Sequence, residues 1–177
     1  MSINIRLANL DDASAMADVH IRSWEVAYRG LMPDDFITEQ NQCRLDRFRT
    51  TLSAENRFHY VVEKDGVIVG NLSLGPARDD DADDTCYEIY GLYLLPAYFR
   101  QGIGSVAMRW SFCQARRLGK SAMLLWVLQG NEGSIKFYQS QGFTFDGSSM
   151  KVVYGEEKTV LRMRAIIDQS INVVGNP

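Results

Sequence analysis

The chain has little with which to build a His-based site: its 177 residues include two histidines, His20 and His59. A Ser-His-Asp triad or a His-rich metal centre is therefore poorly supplied. Three cysteines, Cys43, Cys86 and Cys113, are odd in number and widely spaced. They form neither a CxxC pair nor a zinc framework, so no metal is expected. No apolar run is long enough to span a bilayer, and "MSINIRLANLDD" lacks the apolar core of a signal peptide. Reduced thiols, a cytoplasmic location and no membrane partner are the expectations. There is no Lys/Arg stripe and the formal net charge is −3, which argues against nucleic acid as a partner.

What is present is ordinary globular material, 46% hydrophobic and 23% charged. It suffices for a single domain over residues 1–177 with its own core. "INIRLA" alternates as a first strand, and Asp11 or Asp12 can cap a helix running to about Tyr28. A second helix is expected near "QNQCRLDRFRTTL". Asp65-Gly66 sits between two alternating runs, "FHYVVEK" and "VIVGNLSL", and marks a hairpin. An acidic loop, "DDDADD", expected to be solvated, precedes a strand over 85–95. A helix then runs to about Leu118, followed by the short apolar strand "SAMLLWVL". "NEGSIKFYQSQ" reads as a short helix stopped by Gly142, and "FTFDG", "MKVVYG" and "KTVLRMRA" read as strands. Hairpins followed by a βαβ crossover give an α/β (α+β) domain with a mixed sheet and helices on both faces.

Two stretches carry chemistry. In "RQGIGS", glycines stand at a strand-to-helix corner, where free N–H groups and the positive helix end suit a pyrophosphate. Gly102 and Gly104 open the backbone, while Arg100 and Ser105 add a charge and a hydroxyl. The corner is no dinucleotide fingerprint, because no carboxylate follows in "SAMLLWVL" to bind a ribose. In "NEGSIKFYQSQGF", Asn131, Ser134 and Tyr138 fall at i, i+3, i+7 and share a helix face about 10.5 Å long. A polar line of that kind suits an extended ligand.

Together, "LYLLPAYFRQGIGS" and "LWVLQGNEGSIKFYQSQGF" resemble the pyrophosphate and second acetyl-CoA motifs of the GNAT superfamily of N-acetyltransferases. The resemblance covers essentially the whole chain and implies a mixed, mostly antiparallel twisted sheet of about seven strands. It implies acetyl-CoA as cosubstrate, with backbone groups of Leu92 and Leu94 binding pantetheine amides. The turn Arg100, Gln101, Gly102, Ile103, Gly104 and Ser105 would hold the pyrophosphate, beside Asn131 and Ser134. Phe99 stands where the family commonly has Arg or Gln, and Arg100 is positioned to replace that charge. Tyr138 matches the catalytic tyrosine that serves the departing sulfur.

The implied reaction is attack of an amine, of a small molecule or peptide, on a thioester in a ternary complex. Presenting a free amine costs roughly 4–5 kcal/mol at neutral pH for an ammonium of pKa about 10.4. Glu88 is the carboxylate on the strand the family uses, and strict alternation places it on one face with Tyr90 and Leu92. The family's other base position is Trp126 here, which cannot accept a proton. Trp24 and Tyr28, at i, i+4, are expected to wall the acceptor pocket with Glu88. The alternatives are a non-catalytic acetyl-CoA sensor on the same scaffold, or a protein N-terminal or lysine acetyltransferase. The strand-rich C-terminal end could pair across a homodimer.

Overall fold

A computed structural model describes residues 2–54 and 58–168. Strand β1 (Ile3–Leu7) is followed by three helices, α1 (Ala13–Ala27), α2 (Asp34–Gln42) and α3 (Arg44–Ser53). Next come β2 (His59–Lys64), β3 (Val67–Pro76), β4 (Cys86–Leu94), α4 (Ile103–Arg117), β5 (Ala122–Leu128), α5 (Glu132–Ser140), β6 (Thr144–Tyr154) and β7 (Glu156–Ile166). The strands form one seven-stranded sheet in the order β1-β2-β3-β4-β5-β7-β6. Every pairing is antiparallel except β4 with β5. Among the described residues no helix is long and apolar enough to cross a membrane.

The β2–β3 hairpin turns on Asp65 and Gly66, with φ of 50° and 81°. Two consecutive positive φ values match the twist of the strands, and Asp-Gly tolerates them. Three expectations need correction. Two helices, not one, fill the stretch between α1 and β2, since Pro33 opens a separate helix led by Asp34 and Asp35. The α1 entry is capped by Asn9 rather than Asp11 or Asp12: Asn9 Oδ1 accepts from the Asp11 N–H at 2.9 Å. Asp12 instead completes the capping box from its other end and pairs with Arg6 at 2.8 Å. "FTFDG" and "MKVVYG" form one strand, β6, whose pairing with β7 shifts register between Phe145 and Ser149 around Gly147, at φ 94°.

Helices cover both faces. On one, α4 and α5 bury Ile103, Ala107, Met108 and Ile135 against Leu72, Leu74, Ile89, Leu125 and Val127. On the other, α1 and α3 bury Met16, Ala17 and Phe48 against Val61. The buried Asn71 joins sheet to helix, its Nδ2 donating to the Met16 carbonyl at 2.7 Å. The acidic loop is partly anchored rather than merely solvated. Arg162 of β7 reaches Asp79 at 3.1 Å, Asp81 at 2.6 Å and Asp146 at 2.7 Å.

The feature that shapes the site lies in β4. Opposite β3, Ser73 faces Gly91 and Leu74 faces Ile89, so Tyr90 is an extra residue, a β-bulge. Beside it, pairing of β4 with β5 covers Cys86–Ile89 against Ala122–Leu125 and ends there. The two parallel strands separate from Tyr90 and Trp126 onward. Burial of β4 follows: residues 86–89 are buried and 90–94 are half-buried.

Gly70 of β3 guards this opening. A Cβ there would run into the Leu94 side chain and stand 3.0 Å from the Tyr93 carbonyl oxygen and 3.2 Å from Val62 Cβ. Alanine gains about 0.5–1 kcal/mol of backbone order and loses about 1–3 kcal/mol to overpacking. Gly70→Ala should lower stability by about 1–2 kcal/mol in urea unfolding; an unchanged midpoint would show that β4 can give way.

Candidate active site

The separation of β4 from β5 opens a cleft of about 760 Å³. Its walls are the free lengths of β4 and β5, the start of α4, α5 and the end of α1. On β4 the Leu95 N–H bonds to the Val69 carbonyl of β3 at 2.8 Å. Alternation then turns the backbone groups of Leu94 and Leu92 toward the cleft, where no strand pairs with them. The Leu94 carbonyl already accepts from the Ser23 hydroxyl at 2.5 Å, tying β4 to α1. What remains is a short open strand edge that an amide-bearing chain can join.

The bulge corrects one reading of the faces. Leu92 lies opposite Leu72 and Ile89 opposite Leu74, all packed on the α4 side. Glu88 and Tyr90 share the opposite face, and Arg78 touches both. Its guanidinium meets Glu88 Oε1 at 2.5 Å and stands 4.2 Å over the Tyr90 ring. Glu88 itself is 1% exposed and does not line the cleft. It also accepts from the Arg78 backbone N–H at 3.1 Å.

The glycine corner is a compact set of free donors. Arg100, at φ 59°, and Gly102, at φ 79°, are left-handed and flank the exposed Gln101. The first helical bond of α4 runs from Val106 N–H to the Gly102 carbonyl, and no side chain caps this end. The N–H groups of Ile103, Gly104 and Ser105 are therefore left over at the positive end of a 15-residue helix. The glycines differ in their reasons. Gly102 has open space around it and is required by its φ. Gly104 allows close packing, since a Cβ would lie 3.1 Å from Phe137 of α5. The Gln101 side chain turns outward, bonding the Ala97 carbonyl and Lys64.

Helix α5 supplies the facing wall. Asn131 is its N-cap, accepting from the Ser134 N–H at 3.2 Å, and both residues line the cleft with Tyr138. The Tyr138 ring packs on Phe137 at 5.3 Å and Phe143 at 6.0 Å. Burial, with Tyr93 nearby, pushes the Tyr138 phenol well above its ordinary range. It stays protonated and can donate.

The far end is aromatic. Tyr28, Tyr90, Tyr93 and Trp126 line it, and Trp126 Nε1 donates to Asp79 at 3.1 Å. Trp24 is not on the wall; it packs edge-on behind Tyr28 at 5.0 Å. Of the residues expected from sequence, Tyr28, Leu92, Leu94, Arg100, Gly102, Ile103, Gly104, Ser105, Asn131, Ser134 and Tyr138 converge on the cleft, while Trp24, Glu88 and Gln101 stand off it. Tyr90, Tyr93, Ser23 and Phe137 were not anticipated. The usable sign was Gly91, an isolated glycine within a strand pattern, which signals a bulge.

Behind this wall His20 is buried, 4.2 Å from Tyr93 and 5.2 Å from Trp24 between ring centroids. Burial first, then the Arg44 and Arg47 charges, depress it to about 3. An unfolded histidine titrates near 6.5. Above that pH neither state is charged. Below it the unfolded chain takes a proton that the folded chain refuses, so stability is lost as pH falls from about 6.5 toward about 3. Urea unfolding at pH 7 and pH 5 should show about 1–2 kcal/mol more loss in the parent than in His20→Asn. Equal losses would mean that His20 is protonated in place.

Comparison with known proteins agrees with this arrangement. Residues 21–143 match the model of the acetyltransferase (GNAT) family. An uncharacterised N-acetyltransferase of Bacillus subtilis, YuaI, is 31% identical over 138 residues, covering 78% of each chain. One from Mycobacterium bovis is 30% identical over 141 residues, 78% of this chain and 87% of that one. Among solved structures, the PaiA N-acetyltransferase of Thermoplasma acidophilum in complex with coenzyme A superposes with a TM-score of 0.74 at 20% identity, over 94% of this chain and 99% of that one. YncA of Salmonella typhimurium, solved with its cofactor acetyl-CoA, gives 0.67 at 23% identity, over 99% and 100%. At these identities the structural likeness speaks to the fold. With bulge, open strand edge, glycine corner and family match in agreement, the chain belongs to the GNAT family of N-acetyltransferases.

Proposed function

We propose that the protein transfers an acetyl group from acetyl-CoA to the primary amine of a small molecule, by direct attack within a ternary complex. One observation carries the reading: a sheet opened at the Tyr90 bulge, between the free helix end of α4 and the donor Tyr138. Bound acetyl-CoA would supply an activated acetyl thioester. Three unclaimed N–H groups at 103–105, with Arg100 beside them, fit its pyrophosphate, and the open edge at Leu92 and Leu94 fits the pantetheine amides. The aromatic enclosure of Tyr28, Tyr90, Tyr93 and Trp126 supports a small acceptor rather than a protein chain.

Tyr138 then serves the departing sulfur. A thiol of pKa about 8.5 is a stronger acid than a phenol raised above 10, so complete proton transfer from Tyr138 is uphill. The raised phenol supports hydrogen-bond donation to the thiolate. Glu88 remains the proposed proton acceptor, reached through water because it lies off the cleft under Arg78. Its distance from the wall makes the direct route the less favourable one.

Acetyl-CoA consumption with a panel of amines, scored by product mass, tests the reaction. Tyr138→Phe should lower kcat about 10²-fold, the low end for such groups, and weaken acetyl-CoA binding far less. Full activity would remove Tyr138 from the mechanism. Tight acetyl-CoA binding with no turnover of any amine would favour a sensor. Glu88→Gln should lower kcat most at low pH, where little amine is free. A mutant-to-parent ratio flat from pH 6 to 10 would count against a base role, as expected if Glu88 only positions Arg78.

A further inference from the structure

Among the described residues, Arg44 is a buried cation without a counter-ion. It is 8% exposed, and its Nε and Nη2 have no hydrogen-bond partner. Among the described residues it forms no ion pair: Asp46, the acid nearest to it in the chain, meets Arg49 instead. Yet the protein does pair its other deeply buried guanidinium: Arg162, also 8% exposed, holds three aspartates. An uncompensated buried charge is expensive, and native structures keep one only where something else meets it.

The surroundings say where that something comes from. The guanidinium lies 4.6 Å over the Trp24 ring, which packs on Tyr28. Tyr28 and Tyr93 form the cleft wall at the acceptor end. Other unpartnered polar atoms lie behind the same wall, since Trp24 Nε1 and His20 Nδ1 are also buried without partners. The α4 helix end, which suits phosphates, belongs to the other end of the cleft and is not where Arg44 stands.

We infer that the acceptor carries a carboxylate as well as an amine, and that Tyr28 and Tyr93 receive it in the field of the Arg44 charge behind them. This rests on the acetyl-transfer reading above. The phenols donate at the wall, and the guanidinium behind them supplies a positive charge in a poorly solvated setting. Binding of an amino acid or an ω-amino acid would then neutralise Arg44, and its amine would be held at a set distance from the opening of the sheet.

The test uses amino acids, dipeptides and ω-amino acids, each beside the same compound with its carboxylate converted to a carboxamide. The parent should favour the carboxylate member of at least one pair about tenfold or more in kcat/KM. Arg44→Met should raise KM for that member about 10- to 100-fold. It should leave acetyl-CoA affinity nearly unchanged, lower carboxamide turnover far less than carboxylate turnover, and leave the unfolding midpoint no lower. Arg44→Lys, which keeps the charge, should restore most of the preference. If Arg44→Met does not fold, the carboxylate-to-carboxamide ratio of the parent decides alone. Turnover of amines with no carboxylate preference, or a preference intact in Arg44→Met, overturns the inference and leaves acetyl transfer standing. No turnover of any amine, with acetyl-CoA still bound, overturns both.

Discussion

Most of what this protein can do follows from one extra residue in a strand. Tyr90 has no partner opposite β3, and insertion of a residue bends and twists the bulged strand. A parallel neighbour cannot follow that bend, so β5 parts from β4 after Leu125. The parting strips a central strand of half its hydrogen bonds along Leu92 and Leu94. In a sheet interior that loss would be severe. Here the exposed groups become the purpose of the cleft, and Ser23 of α1 already claims one of them.

Around that opening the two ends are built from different materials. At one, Arg100 and Gly102 adopt left-handed conformations so that α4 starts with bare N–H groups. At the other, aromatic rings fill the space between α1 and the sheet; Arg78 lies over Tyr90 but is taken by Glu88, and Arg44 sits one ring deeper, over Trp24. Between them Tyr138 is held by Phe137 and Phe143, and Phe137 in turn occupies the room that Gly104 leaves. The glycine corner thus does two jobs: one residue permits the turn, and another sets how closely α4 and α5 approach.

The electrostatics follow burial more than proximity. His20 is driven neutral mainly by desolvation, and Tyr28 and Tyr138 are kept protonated by the same cause. At the acceptor end the wall is therefore made of neutral side chains, Tyr28, Tyr90, Tyr93 and Trp126, while Arg100 and Lys136 also line the cleft. Carboxylates near it, Glu88 and Asp79, are each engaged by an arginine of the acidic-loop region or of β7. Proton movement at the acceptor amine must then pass through groups that stand back from the wall.

The sequence by itself determined the elements and their order where local chemistry decides: the Asp65-Gly66 turn, the RQGIGS corner, and the helix carrying Asn131, Ser134 and Tyr138. Each of these is written in residues close together in the chain, through φ preference, helix periodicity or a cap. Three things belonged to tertiary structure. Which face Leu92 occupies depended on a bulge defined against β3, about 20 residues away in sequence, and strict alternation predicted the wrong side. The partner of Glu88 and the outward turn of Gln101 arose from contacts with Arg78 and Lys64. That Arg44 is buried, with no counter-ion among the described residues, was invisible in "QCRLDR", where it looks like any helix-surface arginine. Burial is a property of what packs on a residue, and for Arg44 that meant α1 folding across α3.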